Sequence, residues 1–480
     1  MWRNLILSGI LCGFVFLFIA KPIQADTYYV NSVSGSDTNV GSAASPWQTL
    51  SHGIGQIQAS DTLYLTGLFV YGVDYSDTLS IPVGLSGTTA SPTTIAVWPD
   101  QSASLDVLTM QTVLQVYASN LVISGLIFKA GEIDSTGATA ITLENGVSNV
   151  TIQNCTFNYS DGSSGITTMG NNDQITIQNN SVSGMAFTGF NLIGVTNSTV
   201  TGNSATNNLG GYYGIINLDN VQNVIVTKNY LYDNDEAVAG IQIDNNSNNV
   251  LISNNIFTDN FSYAYGVFNQ GGSDINVINN TFHANYGGVG DTGDAGNDTT
   301  IKNNIFTGNV RALYYATGTP LIADYNLFYN NAVGYVGSDE YYTLANWQNK
   351  TNQDRNSFDD DPQFDTTGYG ASSFALTADS IAIDHGTGVV EIVDDYEDNA
   401  RPVSAYYDIG AYEYGVDFTP TQVKKVQVPK QHLQVTQKKI KWKKVTSANS
   451  YIVKLMNAKN KKIRAIKKIT TNNYTRPVAI

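Results

Sequence analysis

Between Asn149 and Asn330 apolar and polar residues alternate in short bursts, and the bursts recur. Asn149-Val150-Thr151-Ile152-Gln153-Asn154-Cys155-Thr156-Phe157 is answered by Asn249-Val250-Leu251-Ile252-Ser253-Asn254-Asn255-Ile256-Phe257 and by Asp274-Ile275-Asn276-Val277-Ile278-Asn279-Asn280-Thr281-Phe282. Alternation with a period of two makes each burst a strand with one buried face. The position three residues after the second aliphatic falls at Cys155, Asn180, Asn203, Asn229, Asn255, Asn280, Asn304 and Asn326, at steps of 22 to 26 residues. A fixed period in the twenties marks a chain that stacks copies of one unit on itself. Another strand recurs in each unit, as in Gly240-Ile241-Gln242-Ile243-Asp244 and Gly266-Val267-Phe268-Asn269. Gly and Asn separate the strands because they enter left-handed backbone at little cost. The expected product is a coil of two or three short strands per turn, stacked in parallel about 4.8 Å apart.

The Leu-x-x-Leu-x-Leu spacing of leucine-rich repeats is absent. With its inward asparagine column, the pattern resembles the right-handed parallel β-helix family, several members of which are secreted polysaccharide lyases. The resemblance implies an all-β fold, a right-handed parallel β-helix (a solenoid). The handedness also accords with the crossover rule for parallel strands.

The flanks extend this organisation. Met1 to Ala25 carries Arg3, an apolar run from Leu5 to Ala20, and Ala25 at a cleavage position, which reads as an export signal. The apolar run is shorter than the 20 or so residues of a membrane span. The protein is therefore expected to be secreted, extracellular or on the cell surface, and its mature chain to begin near Asp26. Removal of Cys12 leaves Cys155 as the one thiol, in the inward column, so it reads as a buried structural residue and not a nucleophile. Residues 27–71 resemble the amino-terminal entry of secreted β-helix proteins, with a short helical stretch at Ile54 and Ile57; its expected role is to cap the open end. After Asn330 the period fades into Asp361-Pro362-Gln363-Phe364, Ser380 to Gly386, Arg401-Pro402 and Asp408-Ile409-Gly410-Ala411-Tyr412-Glu413-Tyr414. This series resembles the closing segment of bacterial β-helices. The β-helix is thus expected to span 26–420.

Charge separates the remainder. Residues 421–480 hold 16 of the 25 Lys and Arg and no acid, whereas residues 1–420 carry all 40 acids. Such asymmetry marks a separate module. Its alternation (Leu433, Val435; Ile440, Trp442; Tyr451, Val453, Leu455) predicts a small antiparallel β-module, and Ile440 to Val453 resembles part of a fibronectin type III-like sandwich. A module this basic could hold an anionic surface polymer.

Inward side chains build the core of such a coil, so chemistry falls to outward columns and loops. Counting back eleven residues from each ladder position, and ten from Asn229, gives a column of Glu144, Met169, Leu192, Asp219, Asp244 and Asn269, which sets Asp219 and Asp244 on adjacent rungs. Two carboxylates so close either share a proton or hold a cation. That arrangement suits a glycosidase pair, a Ca²⁺ site, or two solvated strand ends. The loop Asp233-Asn234-Asp235-Glu236 lies between Lys228 and Asp244. The lyase resemblance implies Ca²⁺ as cofactor, held by Asp233, Asp235 and Glu236, with Lys228 as the base. Yet Lys228 fills a turn position that is otherwise Asn or Gly, where a plain surface lysine also fits. Tyr212, Tyr213, Tyr263, Tyr265, Tyr286, Tyr314 and Tyr315 recur near the Gly-led strands and are candidates to pack on sugar faces, or simply to stack as structure. Four His and one mature Cys argue against a transition-metal site. Two classes of function stand: a monomeric protein that binds an extracellular polysaccharide and cleaves it as a lyase or glycosidase, and a non-catalytic surface or adhesion protein.

Overall fold

The computed structural model describes residues 25–71, 79–107, 112–130, 139–159, 164–209, 211, 213–234, 239–260, 264–292, 299–316 and 321–415, and five strands between 433 and 475. The chain divides into two compact units, Met1–Gly415 and Val416–Ile480. Residues 1–24 of the predicted export segment lie outside the described residues. Among those described, no helix is long and apolar enough to cross a membrane.

The first unit is a parallel β-helix with three strands per turn. One turn shows the plan: Gln222–Thr227, then Tyr230–Tyr232, then Ala239–Asp244. Each strand pairs in parallel with its counterpart in the next turn, Asn248–Ser253, Ile256–Thr258 and Tyr265–Asn269. Stacking generates three sheets, here called first, second and third in the order the chain meets them; the third has 12 strands. The helix Leu50–Gln56, N-capped by Thr49, lays Leu50 and Ile54 over the starting end, where Val30 and Leu63 are buried.

The corner between first and second strands is held in left-handed backbone at Asn154, Asn179, Gly202, Lys228, Asn254, Asn279, Asn303 and Tyr325, with φ between +53° and +65°. This tight corner turns the following residue into the bore. There the asparagines form a buried ladder. Each Nδ2 donates to the Oδ1 one rung on, at 3.0 Å from Asn203 to Asn229, 2.9 Å from Asn229 to Asn255 and 3.0 Å from Asn255 to Asn280. The same Oδ1 accepts the backbone N–H of the preceding rung, as from Asn229 to Asn255 at 2.9 Å. Buried corner amides thus find partners without water. Cys155 begins the column, buried, with burial pushing its thiol up to about 12. At the other end Asn326 donates to Asp354, whose carboxyl burial pushes up to about 6.

A second ladder runs five residues further along, through Asn208, Asn234, Asn260, Asn285, Asn309 and Asn331, with Nδ2 to Oδ1 distances of 2.8 to 3.1 Å. Between the ladders inward phenylalanines stack: Phe257 on Phe282 at 4.8 Å, Phe282 on Phe306 at 4.9 Å and Phe306 on Phe328 at 5.4 Å.

The closing segment turns back along the coil. Asn303 donates to the Thr387 carbonyl, Asn279 to those of Asp408 and Gly410, and Asn254 to that of Asp394. It runs beside the corner column as a strap. Arg401, buried, binds Glu413 at 2.7 Å and the carbonyls of Asp408 and Gly410, which fixes the strap's internal fold.

In the second unit the described strands pair antiparallel. Leu433–Val435 and Asn473–Thr475 flank Lys439–Trp442, and Tyr451–Met456 pairs with Ile463–Ile469.

Asn255→Ala would orphan the Asn229 backbone N–H inside the bore, take one acceptor from the Asn229 amide, and leave the Val226 carbonyl without the Asn255 amide. We expect a loss of about 3 kcal/mol, since each buried orphan costs about 1–3 kcal/mol. Asn249→Gly, at an exposed left-handed position, should stay within about 0.5 kcal/mol. Guanidinium unfolding of both variants measures the contrast; equal midpoints would mean the ladder is not what stabilises the coil.

Candidate functional site

The third sheet presents its outer face to loops and solvent. Along one outward column, adjacent rungs align Thr167 with Asn191, Asn191 with Asn217, and Asn217 with Gln242; Phe268, Gly290, Tyr314 and Tyr335 follow. The column changes from amide to aromatic after Gln242.

At the strand end beside the amides, Asp219 and Asp244 are register partners, as the sequence predicts. The rest of the predicted column is one residue out in two places. Ile193, not Leu192, aligns with Asp219, and Asn269 faces the bore, fully buried. The distance from this column to the ladder is ten residues on some rungs and eleven on others, as from Asp219 to Asn229 and from Asp244 to Asn255, so a count from the ladder slips. Asp219 accepts from Asn245 Nδ2 at 2.9 Å. Asp244 accepts from Gln242 Nε2 at 2.8 Å, and the same nitrogen reaches Gln270 Oε1 at 3.0 Å. Burial raises the Asp244 carboxyl above its ordinary value; the Gln242 bond opposes this, and the negative charge of Asp219 adds to it. Asn217 Oδ1 and Gln242 Oε1 are buried acceptors without a donor. Asn217 Nδ2 is committed to Asn191 Oδ1 at 2.9 Å, which fixes the direction of that amide.

Three turns on, Arg311 organises the aromatics. Its guanidinium lies 4.6 Å from the Tyr286 ring centre and 4.3 Å from that of Tyr335. Nη2 donates to Tyr286 Oη at 2.6 Å and Nη1 to Tyr265 Oη at 3.3 Å. Tyr265 stacks on Phe268 at 5.1 Å in space that glycine leaves; a Cβ at Gly287 would meet its ring at 2.3 Å. Tyr314 and Tyr286 are half-buried and Tyr213 is exposed, so these three can touch a ligand. Tyr265 is only 8% exposed, with burial pushing its hydroxyl up to about 12; it supports the face and does not form it. Tyr315 is a correction: it is 3% exposed and points into the bore near Trp347, one residue out of phase with Tyr314. Tyr212 and Tyr263 lie outside the described residues.

Lys228 is the larger correction. Its ammonium sits 2.9 Å from Asp394 and 2.6 Å from Asp398, both in the strap. Burial would depress its pKa, but the bonds to Asp398 and Asp394 outweigh that and raise it. A base needs the opposite. The contacts come from residues about 170 positions away, which local pattern does not show. Of the acidic loop, Asp233 stands at a left-handed corner with φ +50° and Asn234 is spent in the second ladder. Asp235 and Glu236 lie outside the described residues. Among those described, no three His, Cys, Asp or Glu side chains come together to hold a metal.

These features belong to a parallel β-helix whose handedness the comparisons supply. Residues 139–298 match the family model described as a right handed beta helix region. No curated protein matches the sequence. Among solved structures, the chain is similar to pectate lyase Pel9A, with 17% identity and TM-score 0.53 over 81% of this chain and 96% of that one. It is similar also to XylC in complex with xylose, with 10% identity and TM-score 0.53 over 81% and 98% of the two chains. Likeness at such identities is likeness of fold, and it establishes a right-handed parallel β-helix.

Lys228→Met should loosen the strap without removing any catalytic group. Limited proteolysis is expected to cut near residues 394–398 faster than in the parent, with turnover of any substrate within about twofold. Turnover abolished while the strap stays resistant would return Lys228 to the chemistry.

Proposed function

We propose that this protein is a secreted glycoside hydrolase acting on an extracellular polysaccharide along the outer face of the third sheet. The observation that carries the reading is the carboxyl pair Asp219 and Asp244, held on adjacent rungs with unlike surroundings. Rungs lie about 4.8 Å apart, close to the 5–5.5 Å or so between the carboxyl groups of retaining glycosidases. Asp244, raised by burial, is suited to keep its proton and give it to the glycosidic oxygen. Asp219 attacks the anomeric carbon as that bond breaks. Water then displaces Asp219, and the Asp244 carboxylate takes the water's proton, which restores both groups. The fold neighbours, named as a pectate lyase and as a complex with xylose, support a carbohydrate as the ligand class. Tyr213, Tyr286 and Tyr314 supply rings for sugar faces.

With Lys228 paired to Asp394 and Asp398, a lyase mechanism lacks its base. In this proposal the segment Met1 to Ala25 exports the chain, which acts as a monomer. The basic module, with its fibronectin type III-like resemblance, retains it on an anionic surface polymer.

A panel of neutral and acidic polysaccharides assayed for new reducing ends tests the reading. Asp244→Asn is expected to lower turnover by at least a thousandfold while leaving polymer binding almost intact, and EDTA is expected to change nothing. Turnover abolished by EDTA and restored by Ca²⁺ would make the pair a metal site. No turnover by the parent on any polymer would leave a binding protein.

The pH profile carries a second expectation. An acid with a raised pKa works below it, so activity should fall as pH rises through the Asp244 value. Gln242→Leu removes the bond that lowers that value, and should shift the alkaline limb of kcat/KM to higher pH. A shift to lower pH would contradict the assignment of Asp244 as the acid.

A further inference from the structure

Four turns beyond Asp244, at the corner between the first and second sheets, lies a cleft of about 430 Å³ that the proposed hydrolysis does not use. Tyr325, Arg355, Asn356, Asp384, His385 and Tyr406 line it. They come from the last regular turn, the chain after the helix Leu344–Thr351, and the strap.

Tyr325 is the unusual member. It stands in the corner column at φ +58°, where the rungs from Asn254 to Asn303 all carry Asn. A bulky aromatic in left-handed backbone is an outlier. The corner needs no ring, since asparagine makes it elsewhere at less strain, so the ring is kept for what it lines. Tyr406, 62% exposed, supplies a second ring.

The polar groups are fixed from behind. Arg355 commits Nε and Nη2 to Asn352 Oδ1, at 3.2 and 2.9 Å, and enters no ion pair among the described residues. Its remaining N–H groups stay available. His385 Nδ1 is 2.6 Å from the Ile383 carbonyl, so that nitrogen carries hydrogen and Nε2 is left over. The ring stands edge-on to Phe358 at 5.1 Å. Asn356 donates its side-chain amide to Asp324 at 2.8 Å, and Asp384 accepts from Ser404 and from the Tyr406 backbone. Asp384 in the lining and Asp324 bonded to Asn356 set two carboxylates against the one guanidinium of Arg355, which disfavours an anion. Rings beside fixed donors and acceptors suit a sugar ring with neighbouring hydroxyls.

We infer that this cleft is a second, non-catalytic saccharide site that holds a neutral sugar unit of a polymer at a distance from Asp219 and Asp244. The rungs between Lys228 and Tyr325 place it about 20 Å further along the axis. The choice of saccharide rests on the proposed function; the cleft itself does not.

Tyr325→Asn restores the residue that the column carries elsewhere, so the coil should unfold at the same temperature or higher. Retardation in native gels cast with xylan, galactan or glucomannan measures binding, with Asp244→Asn as the parent so that the polymer survives. Adding Tyr325→Asn or Arg355→Ala is expected to weaken retardation at least tenfold. In the wild-type background neither should change hydrolysis of short soluble oligosaccharides. Retardation unchanged by both substitutions, or absent from the parent with all three polymers, would overturn the site. Failure of the catalytic reading looks different: a wild-type chain that cuts nothing, with retardation still lost in the cleft variants.

Discussion

The buried amide-to-amide hydrogen bond is the interaction on which the rest of this molecule depends. A coil of 22 to 26 residues per turn bends at corners whose peptide groups face the bore, where water is excluded. Each Asn255-like side chain answers its neighbours twice over: Oδ1 takes a backbone N–H and a side-chain N–H, and Nδ2 returns one to the next rung. An apolar residue could fill the space but would leave these groups orphaned. The chain therefore stacks in one register, and the phenylalanine column between the ladders packs because the amides hold its rungs in line.

A fixed register has a consequence on the outside. Residues that share a strand position are brought to one rung spacing, whatever their chemistry. On most rungs this produces harmless stacks, such as Asn191 on Asn217. At Asp219 and Asp244 it forces two carboxyl groups together that would separate if the backbone allowed it. Gln242 answers one of them and Asn245 the other, so the two are not equivalent. The ladder thus brings the two carboxyl groups together, and burial of Asp244 with the side chains of Gln242 and Asn245 supplies the electrostatic asymmetry that acid and nucleophile roles require.

What the sequence shows and hides follows from the same geometry. The first ladder was legible because it follows an aliphatic alternation, and the Asp219–Asp244 pairing because those two turns are nearly equal in length. The second ladder was equally present, as the constant five-residue step from Asn203 to Asn208 through Asn326 to Asn331, but shorter strands flank it and it lacks that alternation. Tyr315 and Asn269 are hidden for different reasons. Neighbours in a strand face opposite ways, so Tyr314 and Tyr315 cannot both face outward, and loops of unequal length set Asn269 one residue out of the outward column. Lys228 lay beyond local reading altogether, since its partners Asp394 and Asp398 arrive with the returning strap.

That strap also explains why the corner column carries its exceptions where it does. Asn254, Asn279 and Asn303 meet the strap through side-chain amides that donate to its carbonyls. Lys228 stands where the strap offers carboxylates in place of carbonyls, and a cation replaces the amide there. Tyr325 stands where the chain passes to the closing segment and a cleft remains beside it. Where the column meets the strap's backbone, asparagine is the solution, and Lys228 and Tyr325 each answer a different neighbour. A residue that breaks a repeat is informative to the extent that the repeat's own requirement, here left-handed backbone, is still met at that position.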